Sequence, residues 1–238
     1  MTEMTQESSI AAELRDEILR GQYRRGERLP SERDLAERFG VHRSTVRAAV
    51  KRLEQLGIAD VRPGGARVNP IEEASLDVLG PWLALQDPPD AELVDQTLDA
   101  MNGFLAHVAR VGTEQASDED REVLLAILEQ MIEGQPSERR RGELFAELSA
   151  AFVKASGNPV LGLLRHGLRT RYSDFVLPDS RRRSATNGQL APGLKKLRTA
   201  VRKRSGTEAA ETIYTLVSVI RKSIRASLAR SPRETKAR

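Results

Sequence analysis

The stretch Leu29–Gly57, LPSERDLAERFGVHRSTVRAAVKRLEQLG, most constrains what this chain can fold into. Ser31 follows Pro30 and precedes ERDLAERF, so its hydroxyl can accept from the first free backbone N–H groups of a helix. Asp34 stands where a capping carboxylate belongs. Leu35 and Phe39 share the inner face of this short helix, and Gly40 stops it. A second helical pattern runs from about His42 to Leu56 and stops at Gly57. In it Val46, Val50 and Leu53 recur at i, i+4 and i+7, the spacing of a buried face. Arg43, Arg47 and Lys51 recur at i, i+4 and i+8 on a different face, with Ser44 and Thr45 near the helix start.

The flanks complete a unit. Upstream, SSIAAELRDEILRGQY places Ile10, Leu14, Ile18 and Leu19 at helical spacing and ends at Gly21, and RRGERLP reads as a punctuated loop. Downstream, IADVRPGGARVNP reads as two short strands around the turn Pro63-Gly64-Gly65. Three helices followed by a small β-hairpin wing make a winged helix-turn-helix over residues 1–69. An arginine-rich face is most often a solvated surface. Here the cap, the glycine turn and the hairpin all agree, which places these arginines to touch DNA. Arginine's planar fork reads guanine O6 and N7 in the major groove, while hydroxyls and backbone N–H groups hold phosphates. The turn at Gly64 and Gly65 is small enough to approach a DNA backbone, with Arg62 and Arg67 beside it.

Pro70 to Ser75 reads as a linker, and from residue 76 to 230 only helical spacings occur, broken by Pro or Gly. They predict about seven helices: 75–86, 91–112, 117–133, 138–156, 159–177, 189–204 and 207–230. The stripe Leu98, Met101, Leu105 and Val108 shows the register. The fold class expected is mainly α, with an N-terminal winged helix-turn-helix and a C-terminal all-α bundle that binds an effector and dimerises. The final segment, 231–238, reads as a disordered tail.

Composition excludes whole classes of function. No cysteine is present, so disulfides, thiolate metal sites and cysteine nucleophiles are out. The three histidines, His42, His107 and His166, are scattered. Paired acids such as Glu143 and Glu147 have the look of an exposed helix face, and no nucleophile–base pair is visible, so no enzyme is expected. No apolar run reaches the roughly 18–20 residues of a membrane span, and the N-terminus lacks a signal-type apolar region, so the chain reads as cytoplasmic with no membrane partner. Charge is uneven: about +2 over residues 1–70, about −11 over 71–180 and about +13 over 181–238. The basic end, including SRRRS in the loop Pro178–Gly188, either cradles phosphates or docks on the acidic helices.

The segment LPSERDLAERFGVHRSTVRAAVKRLEQLG followed by RPGGARV closely resembles the DNA-binding domain of GntR-family bacterial transcription regulators, over about residues 9–69. The resemblance implies a homodimer on a palindromic double-stranded DNA operator. Arg33, Arg43, Ser44, Thr45 and Arg47 fall where the family contacts DNA, with Gly64 and Gly65 at the wing tip and Arg67 beside it. Two departures stand out. His42 occupies the place where Ser or Thr commonly begins the recognition helix, which removes the usual hydroxyl cap and phosphate contact. The wing is about a residue short, with Ala66 where more polar tips occur. FAELSAAFVKASGNPVLGLL, Phe145–Leu164, resembles the effector domain of the FadR branch of that family. Many members there hold a divalent metal through one aspartate and three histidines. Aligned on that pattern, the positions here are Phe145, Ser149, Leu194 and Val217, and an arginine common on an early helix appears as Met101; no metal and no cofactor is expected. The likeness to fatty-acid-responsive members implies a fatty acyl-CoA effector, with Met101, Phe104, Phe152, Tyr172 and Phe175 lining its pocket; the alternatives are a different small-molecule effector or none, with these residues serving as core.

Overall fold

In the computed structural model, residues 5–86, 89–176 and 185–230 are described, excepting the side chains of 169–176 and of 227, 229 and 230. The expected tail 231–238 and most of the arginine loop 178–188 lie outside the described residues. The chain divides after residue 87 into two units, each with its own apolar core.

In the first unit α1 (Gln6–Leu19) starts on Thr5, whose hydroxyl accepts from the Ser8 N–H. It buries Ile10, Leu14 and Ile18, the i, i+4, i+8 set seen in the sequence. Helix α2 (Glu32–Phe39) starts at Ser31, whose Oγ accepts from the Asp34 N–H at 3.3 Å and donates to the Asp34 carboxylate at 2.7 Å. It ends at Gly40 with φ +63°, the left-handed conformation that lets the chain turn sharply into α3 (Arg43–Gln55). Helix α3 buries Val46, Ala49, Val50 and Leu53 against α1 and α2. Charge pins the three helices together. Arg38 donates to Glu17 and Glu13 of α1, and Arg52 donates to Ser8 at 2.7 Å and pairs with Glu7 at 3.2 Å.

The wing is β1 (Ala59–Arg62) antiparallel to β2 (Gly65–Val68), in the register Ala59↔Val68 to Arg62↔Gly65. Its other edge is occupied too. Gly26 and Leu29 donate backbone hydrogen bonds to Val68 and Ala66, and Val68 donates to Glu27. The RRGERLP segment, expected only as a loop, therefore runs along β2 and braces it. Ala66 is buried on this strand rather than presented at a tip, since β2 alternates exposed and buried positions. An apolar residue there is what the core requires.

Residues 70–75 carry the chain onward while packing on this same unit. Ile71 and Ala74 lie against its core, and the Ser75 N–H donates to the Leu56 carbonyl at 2.8 Å. Helix α4 (Leu79–Ala84) follows, shorter than the 75–86 expected, and it packs on α1.

The second unit is all helical: α5 (Ala91–Gln115), α6 (Asp118–Glu133), α7 (Glu138–Ala155), α8 (Pro159–Val176), α9 (Asn187–Arg202) and α10 (Gly206–Arg230). Each boundary falls within a few residues of the expectation, because capping side chains set it. Asp90, Ser117, Ser137 and Thr186 accept from the first-turn N–H groups of α5, α6, α7 and α9, and Thr186 with Gln189 forms a reciprocal capping box. Helices α5 and α10 run antiparallel. Asp95 meets Arg221, the fully buried Asn102 donates to the Tyr214 carbonyl at 3.1 Å, and Gly206 sits against Arg110 and Glu114. A Cβ at Gly112 would lie 2.4 Å from the Phe152 carbonyl oxygen, so glycine lets α5 and α7 approach closely. The core between the helices includes Leu124, Leu128, Leu144, Leu148, Leu190 and Leu197.

Candidate nucleic-acid interface

Helix α3 presents two faces, and the core decides which is free. With Val46, Ala49, Val50 and Leu53 turned inward, Arg43, Ser44, Arg47 and Lys51 are left exposed along the opposite side. Thr45 is half-buried. The helix begins on His42, whose extended backbone lets the imidazole fold over the first turn. Its Nδ1 accepts from the Ser44 N–H at 3.3 Å and lies 2.8 Å from the Ser44 hydroxyl. The missing hydroxyl cap is thus replaced by a ring nitrogen, and the helix N-terminus is satisfied. The Ser44 hydroxyl and N–H are both engaged by His42, at the positive end of the helix, where the dipole favours a negative charge.

The arginines are not equivalent. Arg43 keeps an exposed side chain within electrostatic reach of Glu32. Arg33, at the start of α2, is 3.5 Å from Asp34 and its side chain is exposed. Arg47 reaches across to Glu32, the first residue of α2: its Nε donates to Oε1 at 3.0 Å and Oε2 at 3.2 Å, and Nη2 donates to Oε2 at 2.8 Å. Hydrogen bonds from Arg47 hold the Glu32 carboxyl below its ordinary value; burial opposes them, and the charges of Arg47 and Arg43 add to the lowering. The same bonds raise Arg47.

At the wing, Gly64 and Gly65 have φ of +106° and +124°, values that side-chain-bearing residues rarely adopt. Arg67 points along the hairpin edge, donating Nη1 to the Gly26 carbonyl at 2.9 Å. It braces the wing as well as charging it. Arg28 was not singled out in the sequence, yet its guanidinium lies against Gly65, where a Cβ would sit 2.8 Å from its Nε. The pairing of residue 28 with residue 67 puts it there, and only a signal of strand pairing in RRGERLP would have found it.

In the second unit the expected effector residues differ in burial. Phe152 is buried in the core, Phe104 packs half-buried against it and Met101 is half-buried. Tyr172 and Phe175 lie outside the described side chains. The positions that hold a metal in many relatives do not suit a cation here. Phe145, Leu194 and Val217 have no donor atom and pack on the core, and the Ser149 hydroxyl accepts from Arg165 Nε at 3.2 Å. His107 and His166 are exposed, and among the described residues no three His, Asp or Glu side chains converge as a metal cluster would need. Part of the basic end docks on the acidic helices: Arg198 on Glu129 at 2.7 Å, Arg204 on Asp118 at 2.9 Å, and Arg221 on Asp95 and Asp99. Lys195, Lys196, Arg202 and Lys203 stay exposed along α9 and the turn after it.

A winged helix-turn-helix with an exposed basic recognition face, joined to an all-helical unit, defines a DNA-binding transcription regulator. Residues 6–68 match the bacterial regulatory proteins of the gntR family, and residues 96–218 match the FCD domain. The chain belongs to the GntR family, in its FCD-carrying branch. An HTH-type transcriptional regulator of Mycobacterium tuberculosis, itself described as uncharacterized, is 32% identical over 77% of this chain and 79% of its own. The fatty acid metabolism regulator protein of Escherichia fergusonii is 30% identical over 64% of this chain and 65% of its own. Among solved structures, Streptococcus agalactiae GntR is similar at a TM-score of 0.49 and 21% identity, over 91% of this chain and 99% of that one. The relatives are regulators rather than enzymes. Among the described residues no helix is long and apolar enough to cross a membrane.

Proposed function

We propose that this regulator binds a palindromic operator as a homodimer in the cytoplasm, and that a fatty acyl-CoA in the helical unit controls its release. The exposed row Arg43, Ser44, Arg47 at the N-terminal end of α3 carries the DNA reading, because it matches the end of a recognition helix that enters the major groove. Arg33 and the wing at Gly64, Gly65 and Arg67 flank it. Two copies would place two such helices one helical turn of DNA apart, roughly 34 Å. An effector that alters this spacing costs one half-site its contacts, which is how binding in one unit is felt in the other. Fatty acyl-CoA is supported by the likeness to fatty acid metabolism regulators.

Fluorescence anisotropy on duplexes from the promoter of the protein's own gene, at fixed salt, tests this reading. The wild-type chain is expected to prefer one duplex by at least a thousandfold over unrelated DNA. The double variant Arg43→Ala, Arg47→Ala is expected to lose that preference while its helical content and melting are kept. Long-chain acyl-CoA is expected to release the duplex. Preference that survives the double variant would sink the assigned face, and release by a different metabolite but not by acyl-CoA would replace the effector.

A further inference from the structure

We infer that Glu32 is a specificity-determining positioning residue: it clamps one edge of the Arg47 guanidinium so that the other edge is presented to a guanine. The inference rests on the operator-binding reading above and adds to it a residue that the sequence did not single out. The geometry is specific. Glu32 takes Nε and one N–H of Nη2, the side edge of the fork. Nη1, with both its hydrogens, and the second N–H of Nη2 are left on the end edge. Those two nitrogens form the parallel pair that meets guanine O6 and N7.

A free arginine on a helix surface samples many rotamers, and docking must select one of them. An arginine clamped by a carboxylate from the neighbouring helix has that selection made in advance. Stability alone gives little reason for such a contact, since Arg47 is 72% exposed and Glu32 39%, and exposed ion pairs contribute little to folding. The pair gains when DNA covers it, because charge-assisted bonds strengthen as water leaves. Glu32 also repels phosphate, so a register that would place the DNA backbone over Arg47 is disfavoured. Its lowered carboxyl keeps it charged throughout the neutral range, as both jobs need.

The test measures base discrimination rather than affinity. A preferred duplex is selected from a randomised pool with the full-length wild-type chain, and each guanine in it is replaced in turn. At the Arg47 position, identified as the one whose replacement no longer matters in Arg47→Ala, the wild type is expected to favour guanine roughly five- to a hundredfold. Glu32→Ala and the shape-preserving Glu32→Gln are expected to cut that preference to below about threefold at this position alone. Their affinity for unrelated DNA should stay level or rise, as an acid has left the DNA face. Undiminished guanine preference in both variants overturns the inference alone. Loss spread evenly over every position overturns it too, showing a role in holding α2. A wild-type chain with no preferred duplex overturns the operator reading and this inference together.

Discussion

A Cβ at Gly57 would lie 2.7 Å from the Glu73 backbone oxygen, at a φ of +71°. Gly40 shares the left-handed backbone, at +63°, yet nothing lies within 4 Å of where its Cβ would be. The sequence marks both as helix stops, but only the fold separates them. Gly40→Ala is expected to cost about 1 kcal/mol from backbone strain. Gly57→Ala should cost at least about 2 kcal/mol, because backbone must move as well. Urea denaturation followed by circular dichroism checks the order, and equal losses would contradict it. Other residue-scale surprises have the same origin. The sequence shows that His42 is no hydroxyl, but not that its ring nitrogen reaches the Ser44 amide. It shows an alanine at 66, but not that β2 turns it inward.

Helices are legible because their apolar spacing and their caps are local; Ser31, Ser117 and Ser137 each fix a helix start that sequence alone places within a residue or two. Which helix meets which is not local. Arg221 of α10 closes on Asp95 at 2.5 Å from 126 residues away. Its hydrogen bonds hold Asp95 below the ordinary 3.8; burial opposes them, and the charges of Arg221 and Arg225 add to the lowering. A depressed carboxyl stabilises the fold fully above its ordinary value and loses that contribution as pH falls through the lowered value. In Arg221→Met, Asp95 returns toward its unfolded behaviour and this acid-side loss disappears. The stability gap between wild type and Arg221→Met is therefore expected to be largest near neutrality and to shrink below about pH 4. Denaturant titrations across that range measure it, and a gap independent of pH would refute the assignment.

At the scale of the whole molecule the chain is two cores. Leu53 and Leu128, both fully buried, belong to different ones. Each Leu→Ala change should cost about 2–5 kcal/mol through lost packing and the cavity left behind. Leu53→Ala is expected to lose DNA binding on warming while the helical signal of the second unit persists. Leu128→Ala should melt the second unit first. Temperature-resolved circular dichroism run beside DNA binding distinguishes the two, and one shared transition shifted equally by both changes would show the units to be a single cooperative body. The sequence places a linker at 70–75; in the structure Ile71 and Ala74 lie against the core of the first unit, which runs on to Asp87.

By itself the sequence determined the winged helix-turn-helix, the exposed arginine row on α3, the family and nearly every helix boundary. Each of these is written in short-range spacing, caps and turn residues. Only the tertiary structure decided that Glu32 clamps Arg47, that Arg28 lies beside the wing, and that Arg198, Arg204 and Arg221 are spent on acidic helices rather than left for a ligand. Those pairings depend on how elements far apart in the chain are brought side by side, and no local pattern encodes that distance.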